Sequence, residues 1–270
     1  MSTIGPHLLG RIFRPDERDY AVERIHEEHA AAPLPPKVVW ADAVVLDQGD
    51  FGTCVGNGFA GWGIADPIND AYTETDARAI YHEATCIDGQ CDDTYQAGST
   101  VRSGAKAMQN RGRLAAYAFA STLDSIREWL ANHGPVVFGT DWTNDMFNPD
   151  ASGFVKPTGG VAGGHCFLCI GYDTANDSFR FRNSWGASWG LSGDFLVKSA
   201  DVTALLKGIE SPGEACVANE LALTPAPVPP DPTPTPVPPT PTPVPVSNVA
   251  HFIKELIAEI ERLAKKWLGL

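Results

Sequence analysis

Between Pro225 and Val246 the chain repeats proline with threonine or valine, and no other feature limits its folding so strictly. Proline fixes φ and carries no N–H, so such a run joins neither a helix nor a sheet ladder and settles into extended polyproline II. It acts as a semi-rigid spacer, so a compact fold has to close within residues 1–224. A proline-rich ligand for a partner domain is the sharper reading; the spacer is favoured because an ordered-looking segment follows. There, Val249, Ile253, Leu256, Ile260, Leu263, Trp267 and Leu270 recur at a 3.5-residue period, the seam of a parallel coiled coil. Phe252, Ile257 and Leu268 widen the apolar face, so a larger bundle, a different protein or a membrane surface are other ways to cover it. Balanced charges, Lys254, Arg262, Lys265 and Lys266 against Glu255, Glu259 and Glu261, favour protein association. The expectation is self-association through an amphipathic helix at 248–270.

A hydrophobic fraction of 43% in 270 residues allows a sizeable core before the spacer. The formal net charge of −13 argues against a nucleic-acid-binding surface. Met1 to Arg14 lacks the apolar core of a secretion signal, being interrupted by Pro6. No apolar stretch of about 20 residues occurs, so no spanning segment is expected. These readings predict a protein that is cytoplasmic when made, with lysis or carriage in a virus particle as routes out.

One phrase carries chemistry: Gln48-Gly49-Asp50-Phe51-Gly52-Thr53-Cys54, followed far downstream by Gly163-Gly164-His165 and Arg182-Asn183-Ser184-Trp185-Gly186. A thiol at neutral pH is mostly protonated, and only the thiolate attacks a carbonyl. An imidazole such as His165 can take the proton. An amide such as Asn183 can fix the ring's tautomer by bonding the nitrogen that does not face sulfur. The tetrahedral intermediate needs donors for its oxyanion; the Gln48 amide supplies one, and the Cys54 backbone N–H another if Cys54 opens a helix. A helix N-terminus also lowers a thiol pKa.

Gln48-x5-Cys54, Gly164-His165 and Asn183-Ser184-Trp185-Gly186-x2-Trp189-Gly190 together resemble the papain family of cysteine peptidases. Leu34-Pro35, Val39-Trp40 and Val44-Val45 resemble the start of the mature family domain, and Gly134-Pro135-Val136-Val137 its entry into the second lobe. The resemblance spans roughly residues 34 to 200. It implies an α+β fold of two lobes, one helical and one an antiparallel sheet, with the site in the cleft between them. It also implies peptide or protein substrates, no cofactor and no metal, and a Trp185 that shields the His–Asn bond. Two features depart from the family. Cys54 is followed by Val55-Gly56-Asn57 rather than by the usual second Cys and Trp. Near Cys91-Asp92-Asp93 the Gly-Gly that lines the family's substrate cleft is missing, so substrate preference does not carry over. Residues 1–33 form an extension shorter than a conventional inhibitory prosegment, so no conventional zymogen is expected. The domain plan is therefore 1–33 extension, 34–224 peptidase-like domain, 225–247 linker and 248–270 association helix.

Patterning predicts helices over Asp16–Ala32, Cys54–Ala65, Thr73–Thr85, Thr100–Arg111 and Ser125–His133. It predicts strands at Val136–Thr140, Cys166–Tyr172, Phe179–Arg182 and Phe195–Lys198. Gly56-x-Gly58-x-x-Gly61 matches a dinucleotide fingerprint, with Asp76 downstream, but Ala77-Arg78-Ala79-Ile80 continues a helix where that fold needs a strand. The glycines, each costing about 1 kcal/mol in a helix, are read instead as close-approach points. In His165-Cys166-x-x-Cys169 a strand sends the two thiols to opposite faces, against a shared zinc. His82 with Cys86 and Cys91 is a weak zinc candidate; reduced, buried thiols are expected there, with pairing only on export. Asn176-Asp177-Ser178 reads as a hairpin turn.

The function expected is a cysteine-type endopeptidase using Gln48, Cys54, His165 and Asn183. A thiol acyltransferase or a peptidoglycan amide hydrolase is the alternative chemistry. A catalytically silent scaffold that works through its terminal helix is the alternative of another class.

Overall fold

The computed structural model describes residues 7–16, 19, 21, 33–41 and 44–220. Most of the Asp16–Ala32 helix, the 225–247 linker and the 248–270 helix lie outside the described residues. In chain order the elements are β1 (Lys37–Val39), α1 (Cys54–Ile64), α2 (Glu74–Ile87), α3 (Val101–Asn110), β2 (Leu114–Phe119), α4 (Leu123–Asn132), β3 (Val136–Thr143), β4 (Val161–Asp173), β5 (Ser178–Arg182), β6 (Asp194–Lys198), α5 (Ser199–Lys207) and β7 (Glu214–Glu220). The strands form one antiparallel sheet in the order β2-β7-β3-β4-β5-β6, with β1 added against β4.

β4 divides two cores. Its period-two alternation sends Phe167 and Cys169 into an aromatic cluster with Phe138, Trp142 and Phe195, and sends Cys166, Leu168 and Ile170 into a second cluster with α1. The two thiols diverge as expected. A bulge between Cys169 and Gly171 in the pairing with β5 slips the alternation, so Tyr172 returns to the aromatic side.

α1 is buried on every side, which is why it can carry glycine. A Cβ at Gly56 would lie 2.1 Å from the Ala77 carbonyl of α2, and one at Gly58 would lie 2.8 Å from the Cys166 sulfur of β4. The glycines set helix-to-neighbour distance. Asp76 completes a capping box with Thr73 at the start of α2.

Thr100 caps α3. Ahead of it, Asp88 accepts from the Ser99, Thr100 and Ser103 hydroxyls and the Thr100 N–H. Asp92 accepts from the Tyr81 hydroxyl and the Gln96 and Ala97 amides. These two carboxylates hold the Gly98-Ser99 segment in one shape. Cys86 and Cys91 form a disulfide, which corrects the expectation of reduced thiols: the turn through Gly89, at φ 92°, brings their Cα atoms to 4.1 Å. Cys54, Cys166, Cys169 and Cys216 are free and buried. The Asn176-Asp177-Ser178 turn joins β4 to β5, with Asp177 at φ 44°. Among the described residues no helix is long and apolar enough to cross a membrane.

Candidate active site

Cys54 is the first residue of α1, preceded by Thr53, whose side chain makes no capping bond to the helix amides. Asn57 instead donates back to the Thr53 carbonyl and hydroxyl at 3.0 and 3.1 Å, tightening the first turn. His165 lies on β4, and the loop after β5 brings Asn183 beneath it. His165 Nε2 and Asn183 Oδ1 are 2.8 Å apart in a fully buried bond. Asn183 Oδ1 also accepts from the Ser184 amide at 2.8 Å, so the oxygen faces the ring and Nε2 is the donor. Trp185 stacks on His165 at 4.8 Å, and Trp142 meets its edge at 4.9 Å; these rings keep water away from the bond. With Nε2 protonated, the other nitrogen is a free acceptor. Nδ1 is buried without a hydrogen-bond partner.

Gln48 joins the same assembly. Its Oε1 accepts from the Ser184 hydroxyl at 2.7 Å, which leaves its amide N–H groups to donate, one to the Phe51 carbonyl at 2.7 Å. The motif alone did not indicate this role for Ser184.

The N-terminal extension packs against the same assembly. Residues 7–12 run through the cleft as extended peptide. The second Gln48 donor bonds the Leu8 carbonyl at 3.0 Å. The Gly10 carbonyl accepts from Ser99 N–H at 2.8 Å, Ile12 N–H donates to the Ser99 carbonyl at 2.8 Å, and Arg11 N–H donates to the Gly164 carbonyl at 2.9 Å. A Cβ at position 10 would stand 1.9 Å from the Gly52 carbonyl, so only glycine fits beside Cys54. His7 stacks on Trp185 at 4.4 Å. Of the extension, residues 7–12 pack on the domain. Backbone hydrogen bonds of residues 10–12 to Ser99 and Gly164 hold this segment in place. Ser99, a few residues downstream of Cys91, is the residue that pairs with Gly10 and Ile12.

This cover sets the electrostatics. Burial pushes the Cys54 thiol up to about 11, although backbone hydrogen bonds from Cys166, Gly10 and Val55 pull the other way. Burial likewise pushes His165 down to about 4, with the Asn183 bond opposing. Thiol and imidazole are therefore both neutral at pH 7, and the lowering expected from the helix N-terminus is outweighed. Gln48, His165 and Asn183 are linked through Ser184. Cys54 touches this group through the backbone of Cys166, next to His165, and no hydrogen bond joins its sulfur to the ring.

The description of papain family cysteine proteases matches residues 60–210, a span that includes His165 and Asn183 and begins after Cys54. Cathepsin B of Dictyostelium discoideum is 26% identical over 174 residues, 59% of this chain and 53% of that protein. A gut-specific cysteine proteinase of Caenorhabditis elegans is 30% identical over 138 residues, 48% of this chain and 41% of that protein. The chain thus spans about half the length of the curated relatives it matches. Xylellain, a cysteine protease from Xylella fastidiosa, superposes with a TM-score of 0.65 at 21% identity, over 82% of this chain and 99% of that one. Digestive procathepsin L2 proteinase from Tenebrio molitor larval midgut gives 0.55 at 17% identity, over 79% and 78%. These two likenesses establish the two-part α+β fold, and the matched family description establishes more: this chain belongs to the papain family of cysteine proteases.

Proposed function

We propose that the protein hydrolyses peptide bonds, with Cys54 as nucleophile, His165 as proton shuttle, Asn183 as the group that orients the ring, and Gln48 with the Cys54 N–H as oxyanion donors. The observation that carries this reading is that a stretch of peptide already lies in the cleft with a backbone carbonyl on the Gln48 amide. That stretch is a cover rather than a substrate. Gln48 addresses the Leu8 carbonyl while the sulfur lies against Gly10, and acyl transfer needs donor and nucleophile on the same carbonyl. When residues 7–12 leave, water and substrate replace them, and the desolvation that holds both groups neutral falls. Nδ1 of His165, unpartnered in the covered state, then takes the thiol proton, and the thiolate attacks. The imidazolium returns that proton to the leaving amine, and a water activated by the same ring releases the acid.

The test is labelling by a peptide fluoromethyl ketone, mapped by mass spectrometry. Cys54 alone of the four free thiols is expected to be alkylated, and Cys54→Ala to abolish both labelling and hydrolysis. A folded, reduced sample that neither labels nor hydrolyses with Arg11→Ala in place overturns the reading. Gln48→Ala is expected to lower kcat about 100-fold or more.

We also infer self-association through residues 248–270, on their 3.5-residue repeat. Light scattering of the full chain is expected to give an oligomer, which Ile253→Lys with Ile260→Lys dissociates; a monomeric full chain overturns it. The Cys86–Cys91 disulfide favours a working place outside a reducing cytoplasm, so of the routes considered we carry forward exit after synthesis.

A further inference from the structure

Outside the cleft, α2 carries a second set of sulfur and nitrogen ligands. His82 and Cys86 stand four residues apart and share one face of the helix. Cys91 returns to that face after the turn through Gly89. One ligand atom from each of His82, Cys86 and Cys91 can be chosen so that all lie within 4.8 Å of one another, and His82 Nδ1 is 4.0 Å from the Cys86 sulfur. The far ring nitrogen is engaged: His82 Nε2 lies 3.0 Å from Asp93 Oδ1. In the neutral ring Nε2–H donates to that carboxylate, which leaves the Nδ1 lone pair for the sulfur side. A carboxylate behind an imidazole is the arrangement that fixes the tautomer and orientation of a metal-ligating histidine. The group opens to solvent, with Cys91 exposed and His82 and Cys86 half-buried, so an ion has a way in.

The turn keeps its shape without the S–S bond. Asp88 N–H donates to the Ala84 carbonyl at 3.0 Å, Gly89 N–H to the Cys86 carbonyl at 3.1 Å and Gln90 N–H to the Thr85 carbonyl at 2.9 Å. Directly after Cys91, Asp92 N–H donates to the Thr85 hydroxyl at 3.0 Å, and the Asp92 carboxylate accepts from the Tyr81 hydroxyl at 2.6 Å. Bonds at Gln90 and Asp92 thus bracket Cys91, and reduction leaves them intact. Once the S–S bond is broken, the two sulfurs stay close but are free to separate. Around tetrahedral zinc, with Zn–S about 2.3 Å and Zn–N about 2.0 Å, sulfur lies about 3.8 Å from sulfur and about 3.5 Å from nitrogen. The observed 4.0 Å between Nδ1 and the Cys86 sulfur exceeds the second spacing by only about half an ångström, which a small rotation of either side chain removes. Two thiolates and an imidazole suit zinc and not the oxygen-seeking calcium or magnesium.

We propose that Cys86 and Cys91, when reduced, hold one zinc ion together with His82 Nδ1, with water as the fourth ligand and Asp93 orienting the ring. The turn is then closed in both states, by the ion where thiols are kept reduced and by the disulfide where they are not. No step of peptide hydrolysis passes through this site. The change balances with a phosphine as reductant. The phosphine takes oxygen from water and is oxidised, two electrons and the two protons of that water pass to the S–S bond to give two thiols, and zinc then displaces both protons to solvent.

The test reduces the full chain with a phosphine and titrates it with cobalt(II), the coloured stand-in for zinc. One cobalt per chain is expected, with thiolate-to-cobalt charge-transfer absorption and tetrahedral d–d bands that added zinc abolishes; the oxidised chain is expected to give neither. Cys86→Ser with Cys91→Ser is expected to lose the absorption. Asp93→Asn, a change at an exposed side chain, is expected to weaken zinc binding about 10-fold or more, and His82→Gln to weaken it further. Absence of the absorption in the reduced chain, its persistence in the double serine variant, or equal zinc affinity in His82→Gln overturns the proposal. A second readout needs no substitution. In the reduced, unaltered chain zinc is expected to slow the alkylation of Cys86 and Cys91 by iodoacetamide, mapped by mass spectrometry; unchanged rates at these two residues overturn the proposal.

Discussion

Two buried carboxylates on paired strands behave in opposite ways. Asp141 on β3 accepts the amides of Ile209, Glu210 and Ser211 at 3.0, 2.7 and 2.9 Å and the Ser211 hydroxyl at 2.6 Å. Burial pushes its pKa up, but the Ser211 hydroxyl and these amides outweigh burial and hold it below the usual carboxylate value. Glu214 on β7, whose strand pairs with β3 at Gly139, has no such backbone cradle. Burial raises its pKa, and the Arg11 guanidinium offsets this only in part. The difference separates two uses of a buried charge. One is satisfied by the loop it organises and stays satisfied. The other is satisfied by a side chain 203 residues away in sequence, on the N-terminal segment.

The strongest way to break the comparison is to remove Asp141. Asp141→Ala strips the acceptor from three amides and a hydroxyl, and about 4 kcal/mol of stability is expected to go. Glu214→Gln keeps an acceptor for Arg11 and is expected to lose about 1 to 2 kcal/mol. Urea denaturation of the two variants measures both; equal losses would erase the distinction.

Next in size is a pH effect from a third buried group. His165 titrates at about 4 in the fold against 6.5 as its ordinary value. Between those values the unfolded chain binds a proton that the native ring refuses, so stability falls as pH drops from 6.5 towards 4 and is full above 6.5. The loss approaches about 3 kcal/mol at pH 4. His165→Gln is expected to flatten it, and an unchanged slope in that variant would show that other groups set it. The carboxylates sharpen the contrast by their signs. Asp141, lowered, stabilises at neutral pH and loses that contribution in acid. Glu214, raised, is relieved as pH falls.

Arg11→Ala is expected to lower global stability by only about 1 kcal/mol, because the freed segment lets water reach Glu214, while raising peptide hydrolysis about tenfold. A large global loss without a gain in rate would make Arg11 structural, like the amides on Asp141. The smallest effect belongs to Ser211, which donates to Asp141 and accepts from Arg11. Ser211→Ala is expected to cost about 1 kcal/mol, with non-additivity when combined with Arg11→Ala in a double-mutant cycle.

The sequence made the helices and the central strands readable because their signals are local. Thr73 and Thr100 cap where a hydroxyl before a periodic run predicts, and β4 is a continuous apolar run buried on both faces. β2 and β7 were not anticipated. Leu114-Ala115-Ala116-Tyr117-Ala118-Phe119 lacks the β-branched residues that mark strands, and its strand state comes from pairing with β7 a hundred residues away. β1 and α5 were likewise not anticipated. Gln48, His165 and Asn183 could be placed together from their motifs, because each sits in a characteristic phrase. Glu214 could not, since a lone glutamate near the end of the domain has no spacing to announce it. Nor could the seat of residues 7–12, which depends on Gly52 and Ser99 in two loops, Gly164 on β4 and Glu214 on β7.

The burial of Cys54 has a further consequence. Peroxide and disulfide exchange consume thiolates that solvent can reach. A sulfur held up to about 11 and fully shielded offers oxidants neither charge nor access. If Cys54 is the nucleophile proposed above, a molecule kept closed through a period in oxidising surroundings emerges with its thiol intact.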